Sequence, residues 1–483
     1  MVFSSNIFLF FFLPIFLIAY FVTPKKYRNY TLLLFSLVFY AYGAPDFVLI
    51  LVGECVINYY LVRWMAKQRT ENGDRRTLLC AVSIVMALEV LLYYKYANFL
   101  VDNLCFLFSW FGGENFSVFR SQFSTIALPI GISFFTFQSI TYTLDVYRGV
   151  TPPSKKLTDY VLYIMMFPQL IAGPIVNYNS VAGQLVERTS TMEDRMVGFY
   201  RFVIGLGKKV LIANTLAAYA DQVFGANYTE LSSGTAWIGI LAYTFQIYFD
   251  FSGYSDMVIG LGKMMGFKFP ENFNNPYTSR SITEFWKRWH MTLGNFIMNY
   301  LYIPLGGNRK GKGRTDLNLW ICFLLSGLWH GASWNFVLWG AFHGFFIVLE
   351  KLIKGKRKAT SHLSPLTSYL SPLLTFFIVN LGWVLFRVDT AADAGLFYQA
   401  LFAFRGGLTL PSDTLFWFTF GLAIFFSFIT LTGLGQRVQD RVFADHYSKG
   451  LSWTMFALCA VLLILSAGSL CVSDFNPFIY FRF

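Results

Sequence analysis

Three of the five histidines lie between residues 290 and 343, each in an aromatic setting. His330 belongs to Ser326-Gly-Leu-Trp-His-Gly331, and no Asp, Glu, Lys or Arg occurs between Asp316 and Glu350. An imidazole buried without a carboxylate partner stays uncharged, which is the form that acts as a general base. Gly331 lets a substrate or another backbone come close. The plainer alternative is a packing histidine bonded to a neighbouring helix. Ionisable groups are rare enough in apolar segments that chemistry is the better reading.

His290 ends Thr283-Glu-Phe-Trp-Lys-Arg-Trp-His290. On one continuous helix Trp286, Trp289 and His290 share a face, and Lys287 and Arg288 take the other. That pattern fits an interfacial anchor with an incidental histidine as well as it fits a site residue. His343 follows Trp339 at i+4 and reads as a supporting residue. No H-E-x-x-H spacing occurs, so no metal site is expected. Two further polar runs stand out. Gln246 to Asp256 carries two carboxylates and reads as a cavity mouth or as a span end capping the next helix. Tyr302 to Arg314 (YIPLGGNRKGKGR) has the glycines and cations to hold phosphates, with Arg309 and Lys310 foremost. Membrane topology alone would also produce such a loop.

The elements that must carry these residues are membrane helices. Of 483 residues, 55% are hydrophobic and 13% charged, and Phe alone supplies 55. A soluble fold of this length carries about twice that charged fraction. This excludes a nucleic-acid module, a secreted disulfide scaffold and a cytosolic enzyme, and makes the lipid bilayer the first partner. The six cysteines form no C-x-x-C pair and read as small buried residues. The net charge of +12 belongs to cytoplasmic loops.

Spans are expected near 6–23, 30–43, 46–64, 77–96, 125–146, 157–174, 233–250, 317–330, 334–350, 371–388, 413–432 and 451–471. Weaker helices are expected near 196–216, 254–265 and 281–300, and a basic then Ser/Pro-rich linker at 352–370. The apolar 7–22 stretch has no preceding Lys or Arg and no cleavage site, so it reads as a retained first span. Basic clusters at Lys25–Arg28, Arg63–Arg76 and Arg309–Arg314 face the cytoplasm, and the N-terminus and 97–124 face outside. From Arg314 to His330, sixteen residues of helix rise about 24 Å. That sets His330 deep in the membrane, towards its outer half. Pro168, Gly173 and Pro174 break one span, and Gly331 and Ser333 another. Broken helices persist at membrane depth where they line a cavity or are buried in protein.

At these residues the chain resembles the membrane-bound O-acyltransferase family, closest to its bacterial alginate O-acetyltransferase branch. The likeness rests on TEFWKRWHMTL and YLYIPLGGNRKGKGRTDLNLWICFLLSGLWHGASWNFVLWGAFHG over 283–344, with LPIGISFFTF, FPQLIAGP and PFIYFRF elsewhere. It implies an all-α polytopic protein of roughly 11–13 transmembrane or partly spanning helices around a central tunnel or funnel. It implies one multi-span domain over 1–483 with a motif-rich core at about 125–350. In the family the histidine of L-W-H-G is catalytic, here His330, and that of W-x-x-W-H is the second site residue, here His290. Trp286, Trp289, Trp329, Asn335, His343, Arg309 and Lys310 are the candidate substrate-binding or supporting residues.

The expected reaction passes acetyl groups from cytoplasmic acetyl-CoA, a substrate and not a resident cofactor, across a bacterial inner membrane. The acceptor is an extracytoplasmic polysaccharide, with a separate periplasmic or extracellular acetyltransferase as partner. Alternatives of the same fold are a teichoic acid D-alanyl transferase and a lipid or protein O-acyltransferase. A polysaccharide or lipid transporter is the rival of another class, and the lack of an internal repeat counts against it.

Overall fold

The computed structural model describes residues 3–68, 73–109, 126, 128–356, 365–407, 411, 413–473 and 475–479, with backbone alone for 354–356 and 365–370. Arg69, Arg357, Lys358, most of the Ser/Pro-rich linker, the 110–124 part of the segment expected outside, and Tyr480–Phe483 lie outside the described residues. The chain divides into two compact units, residues 7–188 and residues 189–330 with 334–483.

The first unit holds α1 (Leu13–Val22), α2 (Arg28–Gly43), α3 (Val48–Lys67), α4 (Gly73–Leu91), α5 (Ala97–Ser109), α6 (Ile132–Arg148), α7 (Leu157–Met165) and α8 (Tyr178–Val186). The break anticipated around Pro168 is real. Helix α7 stops at Met165, and a single turn, Phe167–Leu170, follows. That turn sets the Phe167 ring against Phe12 and Phe16, at 5.4 and 5.0 Å. Here the break serves aromatic packing, worth about 0.5–1.5 kcal/mol per ring pair beyond the area buried.

The second unit holds α9 (Met192–Gly207), α10 (Asn214–Phe224), α11 (Ser233–Met265), α12 (Ile282–Arg288), α13 (Met291–Ile297), α14 (Lys312–His330), α15 (Trp334–Lys356), α16 (Pro365–Arg387), α17 (Ala391–Phe402), α18 (Thr414–Phe428), α19 (Gly433–Val442) and α20 (Lys449–Val472). Helix α9 starts at a capping box in which Thr191 Oγ1 accepts from the Asp194 N–H and Asp194 returns a bond to the Thr191 N–H. It packs on α11 through facing glycines. A methyl group on Gly198 would lie 2.6 Å from the Gly260 carbonyl oxygen, and one on Gly205 would lie 2.5 Å from that of Gly253. Helices in lipid associate through such small-residue contacts, because burial from water does not drive them together.

Among the described residues every regular element is helical. Five helices are long and apolar enough to cross a bilayer: Pro45–Lys67, Gly73–Ser109, Trp334–Ile353, Thr414–Leu431 and Lys449–Val472. The protein is an all-α polytopic membrane protein.

Three expectations need correction. Residues 254–265 do not form a separate helix, because α11 runs unbroken for 33 residues to a left-handed Gly266. The polar run Asp250–Asp256 lies inside that helix and is stabilised by partners on α9 and the turns after it. The 281–300 segment is not one helix, because it breaks at Trp289 and His290. Helices α5, α8, α17 and α19 were not anticipated; α5 carries the span expected at 77–96 on to Ser109, into residues read as an outside segment, and the other three are short, α19 polar over most of its length.

Candidate active site

The break after α12 is what builds the site. Ser281 caps that helix, its Oγ accepting from the Glu284 N–H. Glu350 of α15 accepts from the Ile282 N–H, the Thr283 N–H and the Thr283 hydroxyl, which ties both helices together. After Arg288 the chain turns extended at Trp289, and His290 takes φ 44° and ψ 53° as N-cap of α13. A left-handed non-glycine residue costs of order 1–3 kcal/mol and persists only where its surroundings hold it. They do so here. The Asn274 N–H donates to the Arg288 carbonyl and the Met291 N–H to the Asn272 carbonyl, each at 2.9 Å. The kink therefore removes His290 from the face of Trp286 expected for a single helix, and the interfacial-anchor pattern fails. Trp289 and His290 are 3% and 1% exposed.

Asn272 also orients the imidazole. Its side-chain oxygen meets His290 Nδ1 at 3.0 Å and accepts from the Thr292 hydroxyl at 2.9 Å and the Thr292 N–H at 3.4 Å. A backbone N–H only donates, so the oxygen and not the amide nitrogen faces His290. His290 Nδ1 therefore carries the proton, and Nε2 presents a lone pair with no hydrogen-bond partner among the described residues. The Asn272 amide nitrogen donates to Ser255 Oγ at 3.1 Å. Asn272 has no counterpart among the sequence expectations, since it stands in a polar loop with no periodic signal.

Helix α14 is unbroken from Lys312 to His330, which supports the rise inferred from Arg314. It carries the His330 ring to 6.5 Å from that of His290. Rings of Trp329, Trp339 and Phe386 lie 4.8–5.1 Å from His330. His343 is fully buried on the other side of Trp339, 5.1 Å from it and 4.9 Å from Trp286. Asn335 is buried and donates to the Val388 carbonyl at 2.8 Å, which fixes the start of α15 to the end of α16. Thus His330, His290, Trp329, Trp286, Trp289 and His343 form one aromatic cluster, and Asn335 braces its edge. Arg309 and Lys310 sit on an exposed turn before α14. Among the described residues no group of three His, Cys, Asp or Glu could hold a metal.

Two cavities flank this cluster, the larger lined by Asn272 and Met291 beside His290 and the smaller by His330 and Trp289 themselves. One, of about 380 Å³, is lined by Arg201, Lys208, Ser255, Asp256, Glu271, Asn272 and Gln439 among others. Both of its cations are paired. Lys208 reaches Asp256 at 2.6 Å, while Arg201 reaches Asp256 at 2.9 Å and grips both Glu271 oxygens at 2.6 Å. Helix α19 lines it through Gln439, which accepts from Asn275 at 2.8 Å. Asp445, just beyond α19, bonds the Lys263 ammonium at the end of α11, and that bond holds the Asp445 carboxyl below the usual carboxylate range. The other cavity, of about 10 Å³, is lined by His330, Ile247, Phe251, Trp289, Trp339, Trp383, Phe386 and Ile479. Charges set in apolar segments were the signal for Arg201 and Asp256. Nothing in the sequence pointed to Trp383 or Phe386, and Ile479 stood out only as part of the PFIYFRF likeness, with no role attached.

Residues 150–388 match the membrane-bound O-acyltransferase family. A probable alginate O-acetylase AlgI of Pseudomonas putida is 42% identical over the full length of both chains. Its namesake in Pseudomonas aeruginosa is 47% identical over 84% of this chain and 75% of that one. A peptidoglycan O-acetyltransferase of Helicobacter pylori is 35% identical over 82% of this chain and 78% of that protein.

Proposed function

The chain belongs to the membrane-bound O-acyltransferase family, and from that premise we propose that it passes acetyl groups from cytoplasmic acetyl-CoA to a hydroxyl of a polysaccharide outside the bacterial inner membrane. The observation that carries this reading is the pair of buried imidazoles 6.5 Å apart, with a charged cavity on the Asn272 side and an aromatic pocket at His330. Relatives named for alginate and for peptidoglycan acetylation support acetyl as the group moved and a cell-envelope glycan as its destination. A separate acetyltransferase outside the membrane would complete delivery.

In this mechanism the acceptor hydroxyl docks between the two imidazoles. His330 takes the hydroxyl proton as its oxygen attacks the thioester carbonyl. The tetrahedral intermediate collapses, the carbon–sulfur bond breaks, and the proton passes from His330 to the departing thiolate. His290, its Nδ1 proton held by Asn272, presents Nε2 as an acceptor only, so it takes a hydrogen bond from an amide N–H of the donor's arm and leaves the hydroxyl proton to His330. The aromatic walls leave little room for water, which protects the thioester from hydrolysis. We place the donor's route at the cavity of Arg201 and Lys208, at the basic and therefore cytoplasmic end of α11. Its amides and hydroxyls suit the amide-bearing arm of the coenzyme.

The test is purified protein in liposomes supplied with radiolabelled acetyl-CoA. Thioester consumption or label transfer in the wild type, lost in His330→Ala, supports the reading. Retained activity in His330→Ala overturns it, and no turnover by the wild type with movement of glycan or lipid would favour a transporter.

A further inference from the structure

Resting on the acyl-transfer reading above, we propose that Ile479 sets the length of acyl group admitted at His330. The pocket at that histidine has room for about one water molecule at its present volume of about 10 Å³. Most of its walls are rings on helices, braced by other rings. Phe386 lies 5.1 Å from Trp339 and 5.4 Å from Trp383, and the two tryptophans stack at 6.1 Å. Two walls are aliphatic, Ile247 on α11 and Ile479; Ile479 differs in being carried by the irregular segment that follows α20, and it is 4% exposed.

That segment is fastened by charges buried inside the unit. The Ile479 N–H donates to Asp250 Oδ2 at 2.9 Å. Asp250 Oδ1 pairs with the Lys209 ammonium at 2.9 Å, the two side chains 2% and 1% exposed. Lys209 also donates to the Pro477 carbonyl. Asn476 exchanges hydrogen bonds with Ser4, accepting from its hydroxyl at 2.9 Å and donating to its carbonyl at 2.8 Å. A buried ion pair costs more in desolvation than it returns unless every remaining group is bonded. Here backbone groups of the segment complete the pair, so the pair's cost is offset only when the segment is seated and Ile479 is against the pocket. The wall is a fixed stop.

The reaction is unchanged by this role. The acceptor oxygen bonds the carbonyl carbon, the thiolate leaves, and the hydroxyl proton moves through His330 to sulfur. Ile479 meets the far end of the acyl chain, so it acts on specificity. A two-carbon acyl group fits by displacing what the small pocket holds, whereas each added methylene must push on Ile479.

The experiment compares acetyl-, propionyl- and butyryl-CoA as donors for the purified full chain in liposomes, in wild type, Ile479→Val and Ile479→Ala. One methylene in an apolar pocket is worth roughly 10–200-fold in kcat/KM. Ile479→Ala removes three carbons, so the butyryl-to-acetyl ratio should rise by about tenfold or more, with Ile479→Val between it and wild type. Leu206→Ala, in the core of the same unit and outside the pocket, should leave the ratio unchanged. If Ile479→Ala inserts poorly, the smaller rise in Ile479→Val decides. A ratio unchanged in inserted Ile479 variants, alongside an inactive His330→Ala, overturns the Ile479 assignment alone. An active His330→Ala removes the reading it rests on as well.

Discussion

The cavity at Asn272 and the pocket at His330 belong to one unit and are made of opposite materials. The first holds two cations and three carboxylates among amides and hydroxyls; Lys208, Arg201, Asp256 and Glu271 are tied together at 2.6–2.9 Å. The second is walled by Ile247, Phe251, Trp289, Trp339, Trp383, Phe386 and Ile479 and is lined by no Asp, Glu, Lys or Arg. The contrast shows two ways of keeping polar chemistry inside a membrane. Cations are tolerated where each has a carboxylate beside it. A reactive imidazole is tolerated where aromatic faces surround it and water has almost no room. The two materials meet at the pair of histidines, with Asn272 reaching one of them from the wet side.

The sharpest way to break this contrast is to remove the histidine proposed as base in the aromatic pocket. His330→Ala should lower kcat by about 10²–10⁴-fold with unchanged membrane abundance, measured by thioester turnover in liposomes. His343→Ala, which removes a buried ring with no route to either cavity, should reduce the amount of folded protein and leave kcat of the remainder near wild type. Equal losses of kcat in both would mean that the aromatic cage matters as a whole and that His330 has no separate role.

How far the site was legible follows the same division. His330 stood out because an ionisable residue in a long uncharged segment is costly and therefore informative. His290 was legible as a residue but not as a geometry. Its motif reads as a continuous helix, and the left-handed turn that points the ring inward depends on bonds to residues 272 and 274, far from it in any periodic pattern. Asp250 and Asp256 looked like the end of a span because their counter-ions Lys209, Lys208 and Arg201 come some forty or more residues earlier in the chain. Pairing across helices turns a sequence that reads as an interruption into the middle of α11. Ile479 was seen only within the PFIYFRF likeness, and its place was illegible because an isoleucine among apolar residues carries no signal until the segment bearing it is threaded against the pocket.

Asn272 is where the two sides touch, and it gives the next largest effect. Asn272→Leu keeps the size of the side chain and removes the acceptor that fixes the Nδ1 proton of His290. A misplaced catalytic group of this kind costs about 10²-fold, and the loss should fall on kcat with little change in donor KM. Asn272→Asp keeps an acceptor oxygen in place and should retain more activity than Asn272→Leu. Equal activity in both variants would show that the hydrogen bond to His290 does not matter to turnover.

The charged side breaks differently, through binding and through stability. Lys208→Gln leaves Asp256 with Arg201 as its partner, so the fold should hold while donor KM rises by about tenfold. Arg201→Gln removes the bridge to both Asp256 and Glu271. Breaking a buried pair costs about 3–5 kcal/mol, so this variant should also lose membrane abundance. A donor KM unchanged in correctly inserted Lys208→Gln would separate this cavity from the donor.

The smallest effect is expected where the sequence alone placed the phosphate site. Arg309, Lys310, Lys312 and Arg314 form a dense cationic run, and the left-handed glycines 306, 307 and 311 give it the bends a phosphate loop needs. Yet Arg309 and Lys310 are exposed, and the turn is closed by its own contacts, including Asn318 donating to the Gly307 carbonyl at 3.1 Å. Cations held in water bind an anion weakly, and salt screens what attraction remains over about 10 Å. The Arg201–Lys208 cavity holds its cations against amides and a carboxylate in a confined volume and adjoins Asn272, the residue that touches His290. Arg309→Gln with Lys310→Gln should therefore leave donor KM within about twofold of wild type, and any small rise should vanish as salt is added. Lys208→Gln should show its increase at high salt too, because a confined pair is screened far less. If the double variant gives the large, salt-sensitive rise and Lys208→Gln gives none, the donor enters at the turn before α14, and the charged cavity serves only to hold α9 against α11.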